Sequence, residues 1–258
     1  MRMSFIEAAA FRVYFFFTIF ENSIFMIIMY FLWKAIFAGV ESDTIAGMTF
    51  MQTFVYMAFA GTITSITITY AEWNMSRDMR TGMIAISFVR PISYRAQIIS
   101  RCMGDMTTNF IIVFLPSFII VELLSGGAVR LGMNAVFFII AFFFAALISL
   151  LIDFLVGLIS FYTESVWGIS IMKEVIVRFL AGAIVPLAYF PDSARRVLEF
   201  LPFQAIYNLP IQILTNNSYS SADCARALAT QVLWVLILLG LTKICYNRAS
   251  RLVTVNGG

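Results

Sequence analysis

Six long apolar segments dominate this sequence and restrict what it can fold into. They are predicted at residues 15–37, 45–70, 98–124, 133–161, 166–187 and 225–246. Each is about 20 residues or longer, the length an α-helix needs to cross a hydrocarbon core of about 30 Å. A soluble fold of 258 residues, 61% of them hydrophobic, lacks the interior volume to bury so much apolar surface. The sequence therefore predicts an all-α, polytopic membrane protein with a single transmembrane domain over residues 1–258.

Missing residue types exclude several classes of function. The chain has no His, which excludes His-based acid–base catalysis, Ser-His-Asp triads and His-ligated zinc. Its three Cys lie far apart, and neither a phosphate-binding loop nor a dinucleotide-binding glycine motif occurs. No pair of carboxylates has catalytic spacing, and no metal-ligand pattern is visible. We therefore expect no catalytic site, metal or cofactor in this chain.

Basic residues in the loops predict the orientation of the spans. Cytoplasmic loops carry an excess of Lys and Arg. One set of loops carries Arg2, Arg12, Arg77, Arg80, Arg90, Arg95, Arg101, Lys243, Arg248 and Arg251, whereas the other set carries Arg130, Arg195, Arg196 and Arg226. Both termini and the loop 71–97 are thus expected in the cytoplasm. Residues 1–14 are predicted to form an interfacial helix, and the net charge of +3 reflects this topology rather than nucleic-acid binding.

The cytoplasmic loop 71–97 is the most polar stretch of the chain. Residues 71–82 mix both charge signs with apolar side chains, and Gly82 is expected to break the helix. One interpretation is a surface helix in a positively charged loop. The other is a docking element, because charges and exposed apolar groups together can be recognised by a protein partner.

The expected outer segment 181–215 is apolar but cut by proline. It contains four of the six Pro residues, namely Pro186, Pro191, Pro202 and Pro210, and also Phe203. These leave helical pieces too short to span, which are tolerated at membrane depth only against protein or along a cavity. The segment is either a lipid-facing interfacial loop or a re-entrant outer gate over a pathway.

Several polar residues lie inside the predicted spans. Residues 62–69 alternate like a strand, but a lone strand cannot satisfy its backbone in lipid. As a helix, Thr62, Ser65 and Thr69 share a face that can hydrogen-bond another helix. Asp153 costs roughly 2.5–3.5 kcal/mol to insert unless it finds water or a partner. It continues a stripe that favours close helix packing, comprising Ala141, Ala145, Ser149 and Gly157.

A pair of opposite charges occurs in the fifth predicted span, next to Lys173. Glu174 and Arg178 are four residues apart, so they can neutralise each other along one helix face. The alternative is a polar patch that lines a water-filled inner cavity. Both interpretations stay open on the sequence alone.

This layout resembles the permease subunit of ABC-2-type transporters over essentially the whole chain. The likeness is closest to permeases of roughly 260 residues that often occur in pairs. The local matches are Leu32-Trp33-Lys34-Ala35-Ile36, Arg90-Pro91-Ile92-Ser93, Gly104-Asp105 and the outer run from Gly182 through Pro186, Phe190-Pro191, Leu201-Pro202-Phe203 and Pro210.

The resemblance implies a subunit of an ATP-driven exporter in a bacterial cytoplasmic membrane. Two permeases, alike or different, would work with two cytosolic ABC ATPases that bind ATP and Mg. By this likeness, 71–82 is the coupling helix, with Glu72, Arg77, Asp78, Arg80 and Gly82 at the ATPase, and 161–165 is a smaller contact. Spans one, two and five would form the interface between permeases and flank the path of an amphipathic drug, peptide or lipid-like substrate.

Two other classes of function remain alternatives. An ATP-independent channel or secondary transporter would move its substrate without ATP, although no internal repeat is apparent. A membrane-embedded enzyme or assembly scaffold is the other class. The absence of His argues against most hydrolytic chemistry, but it does not argue against a scaffold.

Overall fold

The computed structural model describes residues 12–252 except 128, 130–131, 164 and 217–218. The predicted interfacial segment therefore lies outside the described residues apart from its last three. The helices are α1 Arg12–Ala38, α2 Phe50–Thr67, α3 Ala71–Arg80, α4 Met83–Val89, α5 Tyr94–Asn109, α6 Leu115–Ser125, α7 Met133–Gly157, α8 Trp167–Leu180, α9 Asp192–Phe200, α10 Asn208–Thr215 and α11 Ser221–Ala249. A short antiparallel hairpin, β1 Thr44–Ile45 and β2 Met48–Thr49, pairs Thr44 with Thr49 and Ile45 with Met48.

Five segments of the described chain are long and apolar enough to cross a membrane. They are Phe16–Ala38, Phe50–Arg80, Tyr94–Ser125, Met133–Phe161 and Ser221–Ala249. The expectation of an all-α polytopic protein is confirmed, but only five of the six predicted spans meet this criterion. The segment 166–187 forms only the 14-residue α8, about 21 Å long at 1.5 Å per residue. It ends before Gly182, whose φ of +83° turns the chain out of the helix.

The second crossing begins and ends at identifiable signals. Thr49 caps α2 through a reciprocal pair of hydrogen bonds with Gln52, placing the β-hairpin directly before the helix. The alternating residues 62–67 are helical, as lipid requires of a spanning segment. Tyr70, at φ +50°, separates α2 from α3 with a left-handed residue.

A π-helical turn, Phe110–Phe114, joins α5 to α6. Pro116 follows it and has no N–H to donate to the preceding turn, so the wider turn accommodates the missing bond. The Phe110 ring stacks on the Phe114 ring with 4.8 Å between ring centroids, and its centroid lies 4.4 Å from that of Phe142 in α7. This aromatic cluster fixes the third crossing against α7.

The core is built around α7. This helix packs against α3, α10 and α11, and its Ala141 and Ala145 are fully buried. The Gln231 side chain of α11 is also fully buried and donates to the carbonyls of Ala141 and Ala205, both at 2.9 Å. One side chain therefore joins α11, α7 and the outer segment. By contrast α1 is largely exposed and packs mainly on α2 and α6.

Candidate functional site

Three charged side chains from three helices meet at one end of the bundle. Lys173 Nζ of α8 lies 2.6 Å from Asp153 Oδ1 of α7 and 3.0 Å from Glu72 Oε1 of α3. Thr69, between α2 and α3, donates to the second oxygen of Asp153 at 3.2 Å. The three charged residues form what we call the inner cluster, and they connect α3 to two other helices.

The inner cluster carries one more negative charge than positive when its groups are ionised. Its two carboxylates are buried, and a cavity of about 60 Å³ adjoins them, lined also by Ser170 and Tyr207. Within the described chain, Glu72 Oε2 and Ser170 Oγ are buried without a hydrogen-bond partner. A cavity of this size and polarity can hold a water molecule.

The backbone of α3 approaches α7 closely at a single glycine. A Cβ added at Gly157 would lie 2.5 Å from Met75 Sδ and 3.1 Å from Glu72 Cα. The last residue of the predicted small-residue stripe is therefore Gly157, whose missing side chain leaves room for α3. The face of α3 that carries Glu72 and Met75 is therefore held against the bundle both by close packing and by the ion pair with Lys173.

The opposite face of α3 carries the other predicted coupling residues. Arg77 and Arg80 are exposed, and Gly82, at φ +72°, ends the polar stretch as the sequence suggested. Asp78 is partly covered and accepts a hydrogen bond from Tyr94 at 3.1 Å. Glu72 differs from these residues because its carboxylate points into the bundle. The structure therefore places Glu72 as an internal anchor of α3 and not on its outer face.

The three polar residues predicted to share a face on the second span do not act as one group. Thr62 and Ser65 donate to the carbonyls four residues earlier in α2, Ala58 and Gly61. Thr62 also accepts from the buried Asn22 of α1 at 3.3 Å. Thr69 lies beyond the end of α2 and donates to Asp153 of the inner cluster.

Arg178, one member of the charge pair of α8, borders a cavity between α1, α2 and α8. Glu174 and Arg178 form an ion pair with each other. The cavity has a volume of about 280 Å³ and is also lined by Glu21, Asn22, Thr64 and Ser65. The pair is therefore neutralised along α8, and its arginine, but not its glutamate, is among the residues that line this cavity.

The proline-broken outer segment folds into short helices against the start of α2. Tyr189 hydrogen-bonds Thr53 at 2.5 Å and packs on Trp33, while Tyr56 donates to Asn208 at 3.3 Å. The prolines and Phe203 lie at helix starts in this segment: Pro186 and Pro191 precede Leu187–Tyr189 and α9, Pro202 and Phe203 open Pro202–Ala205, and Pro210 lies in the first turn of α10. A cavity of about 480 Å³ lies between this segment and the hairpin end of α2.

Comparison with protein families decides the class of this molecule. The family model described as ABC-2 family transporter protein matches residues 23–257. The chain belongs to the ABC-2 transporter family. Comparison with curated proteins and with solved structures found no match.

As an ABC-2 protein, the chain is a membrane component of transport and not itself a catalytic enzyme. Permeases of this family generally work with ABC ATPase subunits. The resemblance seen in the sequence is therefore confirmed. What the sequence missed in this ABC-2 chain is the link between Lys173 and Glu72, which are 101 residues apart and belong to different segments. The sequence offered one signal for this link, because charged residues near the ends of apolar segments require partners.

Proposed function

We propose that this chain is the membrane-spanning permease subunit of an ATP-driven exporter in a bacterial cytoplasmic membrane. It would work with a second permease, alike or different, and with cytosolic ABC ATPases that bind ATP and Mg. Because the ATPases hold the nucleotide, energy enters this chain only through mechanical contact. The substrate would be amphipathic.

The two-faced environment of α3 is the observation that carries this proposal. One face is fixed to α7 and α8 through Glu72, Met75 and Gly157, and the other exposes Arg77 and Arg80. A helix anchored in this way passes a displacement on to the bundle instead of absorbing it. In the proposed mechanism, closure of the ATPases pushes α3, and the inner cluster transfers that movement to α7 and α8.

The orientation is proposed from the same features. Helix α3 and the turn after α7 would face the cytoplasm with both termini, in keeping with the loop charges. The 14-residue α8 would complete a sixth crossing together with residues 181–190, since Tyr189 reaches Thr53 near the opposite end of α2. The segment 181–215 would form the outer gate, and the faces of α1, α2 and α8 would flank the pathway between the two permeases.

The decisive experiment is a gentle-detergent pull-down of the tagged chain from its native membrane. We expect stoichiometric recovery of a soluble chain with a phosphate-binding loop and vanadate-sensitive ATP hydrolysis by the complex. The variant Arg77→Ala/Arg80→Ala should lower both the recovery of that soluble chain and the rate of ATP hydrolysis at least about tenfold, because it removes the exposed charges of α3.

The matched control is Arg248→Ala/Arg251→Ala. It removes two exposed arginines from the same expected side of the membrane but away from α3. Equal losses in both variants would refute the role of α3. Transport by the purified chain without ATP would instead favour a channel or secondary transporter, and recovery of the chain alone would favour a scaffold.

A further inference from the structure

The cavity between α1, α2 and α8 has a polar end and an apolar end. Helices α1 and α2 run antiparallel, so Glu21 and Asn22 lie at the level of Thr64 and Ser65, near the end of α2 that leads to the inner cluster. Towards the other end, the lining consists of Phe25, Met29, Met57 and Ile184. Its volume of about 280 Å³ approaches the roughly 300–1,000 Å³ typical of small-molecule sites.

Most hydrogen-bond donors at the polar end are already used within the protein. Asn22 donates its amide to Thr62 and to Ser117, at 3.3 and 2.6 Å. Thr64 donates to the carbonyl of Ala60, and Ser65 donates to that of Gly61. Arg178 is engaged by Glu174. Apart from the remaining N–H groups of Arg178, the polar wall therefore presents oxygen atoms to the cavity, which suits a ligand that brings donors or positive charge.

Glu21 is the one carboxylate among the residues that line this cavity. Its side chain is exposed, and in the described part of the chain no cation lies within ion-pair distance of its carboxylate. It stands in an apolar membrane helix, where an isolated carboxylate is costly and typically marks a pathway. The other charged residue in the lining, Arg178, is ion-paired with Glu174 outside it, so Glu21 is the lining charge without an ion-pair partner in the described chain.

We propose that this cavity is the binding site for a lipophilic cation, which defines the substrate class of the exporter proposed above. The positive group would lie against Glu21, with the Phe25 ring beside it, and the apolar body would extend along Met29, Met57 and Ile184. Attraction between opposite charges is strong in a poorly solvated site, and an aromatic ring adds to it. A lipophilic anion of the same shape would be repelled by Glu21, while the one cation of the lining, Arg178, is already paired with Glu174.

Two probes of nearly identical shape and opposite charge test this assignment. The full chain is purified in nanodiscs of neutral phosphatidylcholine, and binding of tetraphenylphosphonium and of tetraphenylborate is measured by equilibrium dialysis against empty nanodiscs. We expect saturable binding of the cation to the wild type, at least about tenfold weaker binding to Glu21→Gln, and no saturable binding of the anion to the wild type. The control Glu41→Gln removes an exposed carboxylate outside the cavity and should bind as the wild type does.

A second variant separates charge from shape. Ile184→Trp fills the apolar end without changing any charge, and we expect it to weaken cation binding as well. Equal cation binding by the wild type and Glu21→Gln, or equal binding of both probes, would overturn the proposal. Absence of cation binding, as expected if Glu21 faces a lipid amine or a basic residue of a second permease, would overturn it too. No ATPase is present in the binding assay, so a negative result there refutes the cation site without refuting the exporter assignment.

Discussion

Lys173 is the single cation that holds two buried carboxylates together in the described chain. Its ammonium lies within 3.0 Å of oxygens from both Glu72 and Asp153. Removing one partner of a buried ion pair is far more damaging than replacing the whole group, because the remaining charges stay desolvated. The inner cluster is therefore expected to depend on this lysine more than on either acid.

Replacing Lys173 by Met should destabilise the protein by about 3–5 kcal/mol, since two buried carboxylates would then repel each other. Loss of the monodisperse peak on size exclusion after heating in detergent measures the effect. The triple variant Lys173→Met/Glu72→Gln/Asp153→Asn should recover much of it. Lys243→Met, on the exposed surface of α11, should behave as the wild type; a Lys173→Met protein as stable as this control would contradict the role of the cluster.

At the scale of elements, the contact between α3 and α7 depends on the missing side chain of Gly157. A methyl group there meets the Met75 sulfur and, more seriously, the backbone of Glu72. A sulfur at the end of a side chain can move aside, but a helix backbone cannot without shifting the whole of α3. The position of α3 is therefore set by glycine as much as by charge.

Gly157→Ala should push α3 away from α7 and lower stability by about 1–3 kcal/mol, the usual effect of overpacking. Gly240→Ala in α11 is the matched control, because nothing lies within 4 Å of its added methyl group. The control should be neutral or stabilising by up to about 1 kcal/mol through better helix propensity. Equal thermal stability of Gly157→Ala and Gly240→Ala would show that the close contact between α3 and α7 is unimportant. The same heating assay measures both.

How far the elements follow from the sequence differs from place to place. Helices α7 and α11 are recognisable because they are long, uninterrupted and apolar, so lipid alone decides their conformation. The segment 166–187 is also apolar on average, yet Gly182 and Pro186 end its helix early. The turn of α3 that buries Glu72 depends on Lys173, which becomes its neighbour only after folding. Partnerships such as the one between Gln231, Ala141 and Ala205 are set by tertiary packing and leave no local pattern.

At the scale of the whole molecule, the number of membrane crossings determines on which side each end of the described chain lies. Five long helices would put the two ends of the described chain on opposite sides of a membrane, whereas a sixth crossing by α8 and residues 181–190 would put them on the same side. The loop charges favour the second arrangement. The position of Asp192 relative to Thr163 decides between the two arrangements.

In a chain without its native cysteines, Thr163→Cys and Asp192→Cys should react with a membrane-impermeant maleimide from opposite sides. We expect Thr163→Cys to label only in inside-out vesicles and Asp192→Cys only in right-side-out vesicles, since both positions are exposed. Ser42→Cys, between α1 and β1, serves as the control for the outer side. Labelling of residues 163 and 192 from the same side would remove the sixth crossing and reverse the predicted location of one terminus.

The inner cluster also has a consequence for how the chain is made. Synthesis runs from the N-terminus, so Glu72 and Asp153 are in place before Lys173 leaves the ribosome. Helix α8 is short and carries three charges, each costly to insert alone. In the proposed six-crossing arrangement, its insertion would be favoured by the carboxylates that receive its lysine. A nascent chain that stops after α7 would hold two acids without their lysine, so in this arrangement the arrival of α8 would be the step at which the cell's quality control could distinguish a finished subunit from an unfinished one.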